Sequence, residues 1–183
     1  MEQKNLVRKK YYLLRKKKYY EINKNFFIPL LDLIKLKFKK KKFKLALYYP
    51  SAFELNVLQL LEFNYFSKQK VLLPAIEENN LMNFFPWKKN EVLIVNRYGM
   101  LEPVKSKHNT PDVMLVPLLS FAPDKHRLGY GKGFYDRYLN KYLKTFRNIL
   151  TVGVAFSFQK HHKLPINNMD VKLNYILTEK GIY

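Results

Sequence analysis

The segment DVMLVPLLSF, residues 112–121, constrains the fold of this chain more than any other stretch. Its residues are apolar on both alternations, which is typical of a central strand in a parallel sheet with both faces covered. Parallel neighbours need a crossover connection, and this is usually a helix. The segment therefore predicts a chain in which strands and helices alternate.

The rest of the sequence supplies that alternation. Short apolar runs, several of them stopped by proline, predict further strands at FKLALYYP (43–50), KQKVLLPA (68–75), EVLIVNR (91–97), TVGVAF (151–156) and NYILT (174–178). Helical periodicity predicts helices over residues 2–40, with a division near NKNFFIP, over AFELNVLQLLEF (52–63) and over FYDRYLNKYLKTF (134–146). The expected fold class is α/β, with a mostly parallel, mixed central sheet flanked by helices in a Rossmann-like, three-layer architecture. One domain is expected over residues 1–183.

The charge distribution is uneven. The formal net charge is +20, and residues 1–44 hold 16 Lys and Arg against 3 Asp and Glu. Such a basic region can bind nucleic acid without sequence preference, or it can simply form solvated helical faces. No recognised nucleic-acid-binding motif accompanies the charge, so no specific nucleic-acid partner is expected.

The composition also limits the kinds of site. The chain has no cysteine, which excludes disulfides and thiolate metal sites. No segment reaches the roughly 18 apolar residues that a membrane span needs. The first residues lack the apolar stretch of a signal peptide. We expect a cytoplasmic protein with no membrane association.

The stretch RLGYGKGFYDRYL, residues 127–139, holds three of the six glycines, at Gly129, Gly131 and Gly133. Glycine lets a backbone approach a ligand without interference from Cβ. A helix predicted to start near Phe134 would present free N–H groups to an anion at this loop. The pattern favours a phosphate-binding loop.

Charged residues in the same stretch refine that hypothesis. Arg127 and Lys132 would add positive charge, and the Arg127 guanidinium suits phosphate oxygens. Asp136 would repel a bare phosphate, but it fits a site where Mg²⁺ bridges a carboxylate and phosphate oxygens. The glycine spacing is neither that of a Walker A loop nor that of the dinucleotide fingerprint. The alternative is a tight loop before a helix that carries Asp136 and Arg137 on its wet face.

The longer segment PLLSFAPDKHRLGYGKGFYDRYL resembles the signature of the 5-formyltetrahydrofolate cyclo-ligase family, also called methenyltetrahydrofolate synthetases. Shorter matches follow in the family's order: KNLVR, LALYYPSAFELNVLQLL, KVLLPAI, MLEP as a short turn, and VGVAFSFQ with LPINNMDVKLNYILTEKG. The resemblance covers nearly the whole chain. It is weakest between residues 10 and 43.

The resemblance implies an enzyme that uses ATP and Mg²⁺ to convert 5-formyltetrahydrofolate into 5,10-methenyltetrahydrofolate, ADP and phosphate. The catalytic residues would be Arg127, Lys132 and Tyr135. Residues around ATP would be Lys4, Arg8, Arg127, Leu128, Gly129, Tyr130, Gly131, Lys132, Gly133, Phe134 and Tyr135. The basic helical region would be residues 1–43, and the catalytic α/β region residues 44–183.

The family pattern also implies a folate site and a metal site. Asp136 and Asp170 would hold Mg²⁺. Residues around the folate would be Arg8, Tyr49, Glu54, Tyr130, Gly131, Lys132, Gly133 and Phe134, with Met82 as a further apolar candidate. Glu54 would accept hydrogen bonds from the pterin. The family commonly has two tyrosines before the aspartate, whereas this chain has Phe134 and Tyr135.

Two other functions remain open from the sequence. One is a nucleic-acid-binding protein that uses the basic N-terminal helices, and the other is a folate or nucleotide binder without turnover. For the enzyme, we expect a monomer whose positive charge attracts the polyglutamate tail of cellular folates.

Overall fold

The computed structural model describes residues 2–39, 41–145 and 149–183. Its α-helices are Glu2–Lys18 (α1), Ile28–Phe38 (α2), Asn64–Ser67 (α3) and Phe134–Thr145 (α4). Lys40 and Phe146, at the ends of two predicted helices, lie outside the described residues. No helix in the described ranges is both long enough and apolar enough to cross a membrane.

The strands are short and follow one another through most of the chain. They are Lys44–Ala46 (β1), Lys70–Ile76 (β2), Met82–Pro86 (β3), Leu93–Val95 (β4), Leu101–Pro103 (β5), Val113–Pro117 (β6), Ser120–Phe121 (β7), Arg127–Leu128 (β8), Leu150–Val154 (β9), Tyr175–Thr178 (β10) and Gly181–Ile182 (β11).

The central sheet has seven strands in the order β11-β10-β9-β6-β1-β2-β3. The five inner strands are parallel, and each edge strand pairs antiparallel with its neighbour. β6 is the middle strand, as its apolar sequence predicts. The expected α/β fold with a mixed, mostly parallel sheet is confirmed.

Alternating strand residues point into two separate cores. On β6, Val113 and Leu115 pack into the core that contains α2, whereas Met114 and Val116 pack into the core beside α4. Both cores are fully shielded at these positions, because all four side chains have no exposed surface. The sheet is therefore covered on both faces, which explains why β6 is apolar at every position.

Helix α2 has the amphipathic pattern that the sequence predicts. Leu30 and Ile34 of α2, and Phe27 just before it, are completely buried against the sheet. Pro29 lies in the first turn of α2, where its fixed φ suits a helix start and its missing N–H leaves no helical bond unmade.

Four predicted elements differ in the structure. The helix expected over 52–63 is wrong, because only Val57–Glu62 is helical and it is a 3-10 helix. The backbone φ is positive at Ala52 and Phe53, and the Asn56 side chain accepts from the Leu58 N–H. These features hold the preceding residues in a turn instead of a helix.

The region before β6 was also predicted incompletely. The strand predicted at 91–97 forms β4, which lies outside the central sheet because it pairs with β5 in a separate hairpin. The predicted MLEP turn is mostly strand, since Leu101–Pro103 form β5. β3 was missed, although it forms the antiparallel edge of the sheet. The run DVMLVPLLSF splits at Leu118 into β6 and β7, and β7 pairs with β8 just before the glycine loop.

Gly153 on β9 gives a stability test. A Cβ there would lie 2.7 to 2.9 Å from methyl carbons of Ile176, Leu118 and Leu173. We expect Gly153→Ala to lower the free energy of unfolding by about 1–3 kcal/mol through overpacking. Urea unfolding checks this, with Gly129→Ala as the control, because a Cβ at Gly129 meets no atom within 4 Å. Equal stability of both variants would contradict the packing argument.

Candidate active site

The glycine loop lies between β8 and the first residue of α4. Gly131 and Gly133 have φ of +100° and +68°, which favour glycine. A Cβ on Gly133 would lie 2.9 Å from Nη1 of Arg137, the atom that donates to the Lys132 carbonyl oxygen at 2.9 Å. The loop is therefore shaped by local backbone geometry and closed by an arginine of α4.

Helix α1 brings cations to this loop. Arg8 donates from Nε to the Gly129 carbonyl oxygen at 2.9 Å, and its guanidinium lies over Gly131. Lys4, one turn earlier on the same face, forms an ion pair with Asp170. Both side chains of this pair are only 16% exposed. α1 thus spans the glycine loop and the connection between β9 and β10.

A third cation of α1 is buried below the loop. Arg15 is 2% exposed and donates to the carbonyl oxygens of Leu118 and Ala52 at 3.2 and 2.7 Å. It also donates to the Tyr130 hydroxyl, which in turn donates to Oε1 of Glu54 at 2.6 Å. Arg15, Tyr130 and Glu54 form a continuous hydrogen-bonded chain from α1 to the turn after β1.

Glu54 is held from two sides. Its other oxygen, Oε2, accepts from the backbone N–H of Ser51 at 3.0 Å. Burial raises the pKa of the Glu54 carboxyl, and the hydrogen bonds from Tyr130 and Ser51 and the charge of Arg15 oppose that rise. The site therefore contains a carboxylate whose charge depends on its neighbours.

Tyrosine hydroxyls surround this carboxylate. Burial and the charge of Glu54 raise the pKa of Tyr130 and of Tyr135 far above the ordinary phenol value. Both phenols therefore remain protonated donors at neutral pH. The Tyr135 hydroxyl is buried with no hydrogen-bond partner among the described residues, so its donor is unused in this structure.

The two predicted metal ligands are adjacent in space. Asp136 Oδ1 accepts from the backbone N–H of Val171 at 3.2 Å, and Val171 directly follows Asp170. Arg127, whose side chain is 3% exposed, pairs with Asp136 at 3.0 Å and donates to the Val171 carbonyl oxygen. Arg127 thus lies beneath the loop, where it joins the start of α4 to the segment that carries Asp170.

This donor set fits Mg²⁺ only with help from a ligand. No group of three or more His, Asp or Glu side chains suited to a metal occurs in the described residues. Mg²⁺ is typically held in phosphate-transfer sites by one or two carboxylates together with phosphate oxygens and water. Asp136 and Asp170 match that need, and Lys4 and Arg127 lie beside them.

An aromatic and basic cluster covers the outer side of the loop. Lys132 is exposed, and its Nζ lies 5.3 Å from the centre of the Tyr98 ring. Tyr98, at the tip of the β4–β5 hairpin, meets Phe134 edge-on at 5.8 Å. Asn80 accepts hydrogen bonds from the Tyr98 hydroxyl and from Arg97. These contacts hold the β4–β5 hairpin next to the glycine loop.

The other predicted residues fall into two groups. Tyr49 is 36% exposed just after β1, at the same edge of the sheet as Glu54. Leu128 and Met82 are buried at 2% and 7% in apolar clusters, so their side chains do not face the loop opening. A further acid, Glu102 of the MLEP motif, is 4% exposed and accepts hydrogen bonds from the Ile76 N–H and from Asn96, so it links β5 to β2.

Arg15 and Tyr98 were not predicted as site residues from the sequence. Nor did the sequence predict that Arg137 holds the glycine loop through the Lys132 carbonyl oxygen. Arg15 follows Arg8 by seven residues, so the helical spacing places both on one face of α1. That signal was present but was obscured by the many lysines around it. Tyr98 had no comparable signal, since its position depends on how the β4–β5 hairpin packs.

Comparisons with known proteins place the chain in one family. The profile of the 5-formyltetrahydrofolate cyclo-ligase family matches residues 16–179. A 5-formyltetrahydrofolate cyclo-ligase of Escherichia coli (strain K12) is 30% identical over 139 residues, which cover 71% of this chain and 74% of the relative.

Solved structures extend the similarity into α1. The 5,10-methenyltetrahydrofolate synthetase of Aquifex aeolicus superposes with a TM-score of 0.74 at 31% identity, covering 98% of this chain and 91% of that one. A 5,10-methenyltetrahydrofolate synthetase of Mycoplasma pneumoniae gives 0.69 at 26% identity, with 95% and 97% covered. This chain belongs to the 5-formyltetrahydrofolate cyclo-ligase family, and the prediction of an enzyme of that family is confirmed.

The raised pKa of Glu54 predicts a pH effect on stability. A carboxyl whose pKa is higher in the folded state than the ordinary 4.5 stabilises the folded protein at pH values below 4.5. This contribution to the free energy of unfolding is lost as the pH rises through the folded-state pKa. Glu54→Gln lacks this titration. We therefore expect the unfolding free energy of the wild type, relative to Glu54→Gln, to fall as the pH rises above about 4.5. Urea unfolding at fixed ionic strength measures it, and a rising difference would show a lowered pKa instead.

Proposed function

We propose that the protein catalyses the ATP- and Mg²⁺-dependent conversion of 5-formyltetrahydrofolate to 5,10-methenyltetrahydrofolate, with release of ADP and phosphate. The observation that carries this proposal is the glycine loop at the start of α4. It is bordered by Arg8 and Lys132 and lies beside the Asp136 and Asp170 carboxylates. A buried carboxylate, Glu54, is linked to the same loop through Tyr130.

The reaction needs activation of an amide oxygen. The γ-phosphoryl group of ATP is transferred to the formyl oxygen, the bond to ADP breaks, and the oxygen becomes part of a good leaving group. N10 then attacks the formyl carbon and loses its proton. Phosphate departs with the former formyl oxygen as the ring closes. Such chemistry depends mainly on positioning and charge neutralisation.

The nucleotide phosphates would lie on the loop. Gly129, Gly131 and Gly133 give the backbone close access, and the N-terminus of α4 favours an anion. Lys132 is exposed and so is available to neutralise the transferring phosphoryl group. Lys4 and Arg8 approach from α1 on the other side. Tyr135 would use its buried, unpartnered hydroxyl to bind an oxygen of the reacting group.

The metal would be held by Asp136 and Asp170. When bound, Mg²⁺ would offset the negative charge of the phosphates. Arg127 would keep Asp136 oriented through its buried ion pair. Lys4 pairs with Asp170, so a cation suited to phosphate is already next to the second carboxylate.

The folate would lie towards Glu54. The pterin amino and ring N–H groups are donors that match a carboxylate, and Tyr49, Tyr130 and Phe134 would supply aromatic surface. Phe134 lacks the hydroxyl that the family commonly has at this position. We propose that Tyr135 alone provides the phenolic donor on this side of the site.

The remaining assignments rest on the same proposal. We propose that the chain acts in the cytoplasm as a monomer, with residues 1–183 as one catalytic domain. Its basic region, residues 1–43, would supply Lys4 and Arg8 to the site. The net charge of +20 would attract a polyglutamylated form of the substrate.

The main test is formation of methenyltetrahydrofolate, followed by near-ultraviolet absorbance, from 5-formyltetrahydrofolate and MgATP. We expect turnover by the wild type and about a hundredfold or greater loss of kcat/KM in Asp136→Asn, because a carboxylate of the charged phosphate site is removed. The loss should be partly offset by raising the Mg²⁺ concentration.

Asp32→Asn on the exposed surface of α2 is the matched control, since it makes the same change in charge away from the site. Thermal unfolding of both variants shows whether Asp136→Asn still folds without its ion pair. A folded wild type that forms no product at any Mg²⁺ concentration would refute the proposed reaction.

Electrostatic attraction of the substrate tail is tested separately. At low salt, we expect a lower KM for pentaglutamylated than for monoglutamylated substrate. The difference should shrink as NaCl rises, because salt screens exposed charges over about 10 Å at 0.1 M. Steady-state kinetics with both substrates measures this, and equal KM values at low salt would rule the attraction out.

A further inference from the structure

We infer that Arg15 is a positioning residue that holds Glu54 and Tyr130 in the geometry needed to bind the folate, which rests on the proposed function. Three observations support it: the burial of Arg15, its contacts with three different segments, and its link to Glu54 through a single hydroxyl. The family profile matches from residue 16 onward, so Arg15 lies just outside the matched range.

The first observation is burial without a carboxylate in direct contact. Arg15 is 2% exposed, and its two terminal nitrogens donate to backbone carbonyl oxygens and to the Tyr130 hydroxyl. A buried guanidinium is costly to desolvate and is retained where it satisfies several acceptors in a fixed geometry. A lysine can supply the charge but not the planar fork.

The second observation is which segments are joined. The Leu118 carbonyl oxygen marks the end of β6, and the Ala52 carbonyl oxygen belongs to the turn that leads to Glu54. That turn has positive φ at Ala52 and Phe53, of 46° and 66°. Non-glycine residues adopt such φ values rarely, so the turn needs external support. Arg15 provides it by binding the Ala52 carbonyl oxygen.

The third observation is the bridge through Tyr130. The Tyr130 hydroxyl accepts from Arg15 and donates to Glu54, while the residue as a whole is 42% exposed. The guanidinium also lies 5.5 Å from the centre of the Tyr130 ring. Arg15 therefore fixes the hydroxyl end of Tyr130 and leaves the rest of the side chain available to a ligand.

The charge of Arg15 influences whether the Glu54 carboxyl is ionised. The groups facing the carboxylate are Arg15 from α1, Tyr48 and Ser51 after β1, Tyr130 of the loop and Tyr135 of α4. The three tyrosines have raised pKa values and stay neutral, so Arg15 carries the positive charge that opposes protonation of Glu54. Loss of that charge raises the pKa of Glu54 further.

The primary test is equilibrium binding of 5-formyltetrahydrofolate, measured by isothermal titration calorimetry, which needs no turnover. We expect Arg15→Met to raise the Kd about tenfold or more, since a charge-linked hydrogen-bond chain is cut. The Kd for MgATP should change by less than about twofold, because Arg15 contacts no residue proposed to bind it except Tyr130. Lys16→Met is the control, because Lys16 is exposed on the same helix.

A pH series separates positioning from a general structural role. For the wild type, folate affinity should fall at acid pH as Glu54 becomes protonated. In Arg15→Met the midpoint of that fall should move to higher pH, whereas Arg15→Lys should keep the midpoint near that of the wild type and bind with intermediate affinity. A merely structural role would reduce the fraction of folded protein and leave the affinity and midpoint of the folded fraction unchanged, which would overturn the inference.

Arg15→Lys also covers the case in which Arg15→Met does not fold, because it retains the buried charge. The double variant Arg15→Lys, Tyr130→Phe should bind folate no more weakly than the weaker-binding of the two single variants, since both substitutions act through the Tyr130 hydroxyl. Additive losses, or a wild-type Kd in Arg15→Lys, would overturn the inference. Wild-type binding without product formation would count against the proposed reaction alone, and a wild type that binds no folate would overturn both.

Discussion

The polar docking of α1 is the interaction on which the candidate site depends. A stripe of Lys4, Arg8, Tyr11 and Arg15 faces the protein, and each of these side chains bonds to a different loop or strand end. Apolar support is small, with Val7 against a minor cluster. A helix attached mainly by polar contacts gains its stability from their geometry, because no large hydrophobic face is buried.

The basic charge of the N-terminal region divides into two groups with distinct uses. Three cations of the stripe are turned inward, towards carboxylates and carbonyl oxygens around the glycine loop. The lysines at 16–18 are exposed and contribute to the long-range field, and the Lys18 ammonium also lies 5.8 Å from the centre of the Phe158 ring. Composition alone cannot distinguish the two groups, since both raise the net charge equally. An anionic ligand that bound at the loop and contacted Lys4 or Arg8 would stabilise the docked position of α1, because it would bind only when those residues are in place.

Much of the fold was predictable because its signals are local. Apolar strands, the helical spacing in α2 and the clustered glycines are all encoded within short stretches. The relation of Glu54 to Tyr130, 76 residues apart, is not local and emerged only from the packed structure. The turn at Ala52 and Phe53 was missed for a related reason. Arg15, 37 positions away, donates to the Ala52 carbonyl oxygen in this turn, and the helical pattern of the same residues gives no sign of that contact.

The ion pair between Lys4 and Asp170 joins residues separated by 166 positions. During synthesis, α1 leaves the ribosome long before Asp170 does, because it lies N-terminal to Asp170 in the chain. Strands β1, β2, β3, β6 and β9 precede Asp170 and can pair before it emerges, but the contact between α1 and the segment around Asp170 cannot form until then. A ribosome-bound chain that stops short of Asp170 thus lacks this ion pair as well as strands β10 and β11, so the candidate site is completed only after most strands of the central sheet have been synthesised.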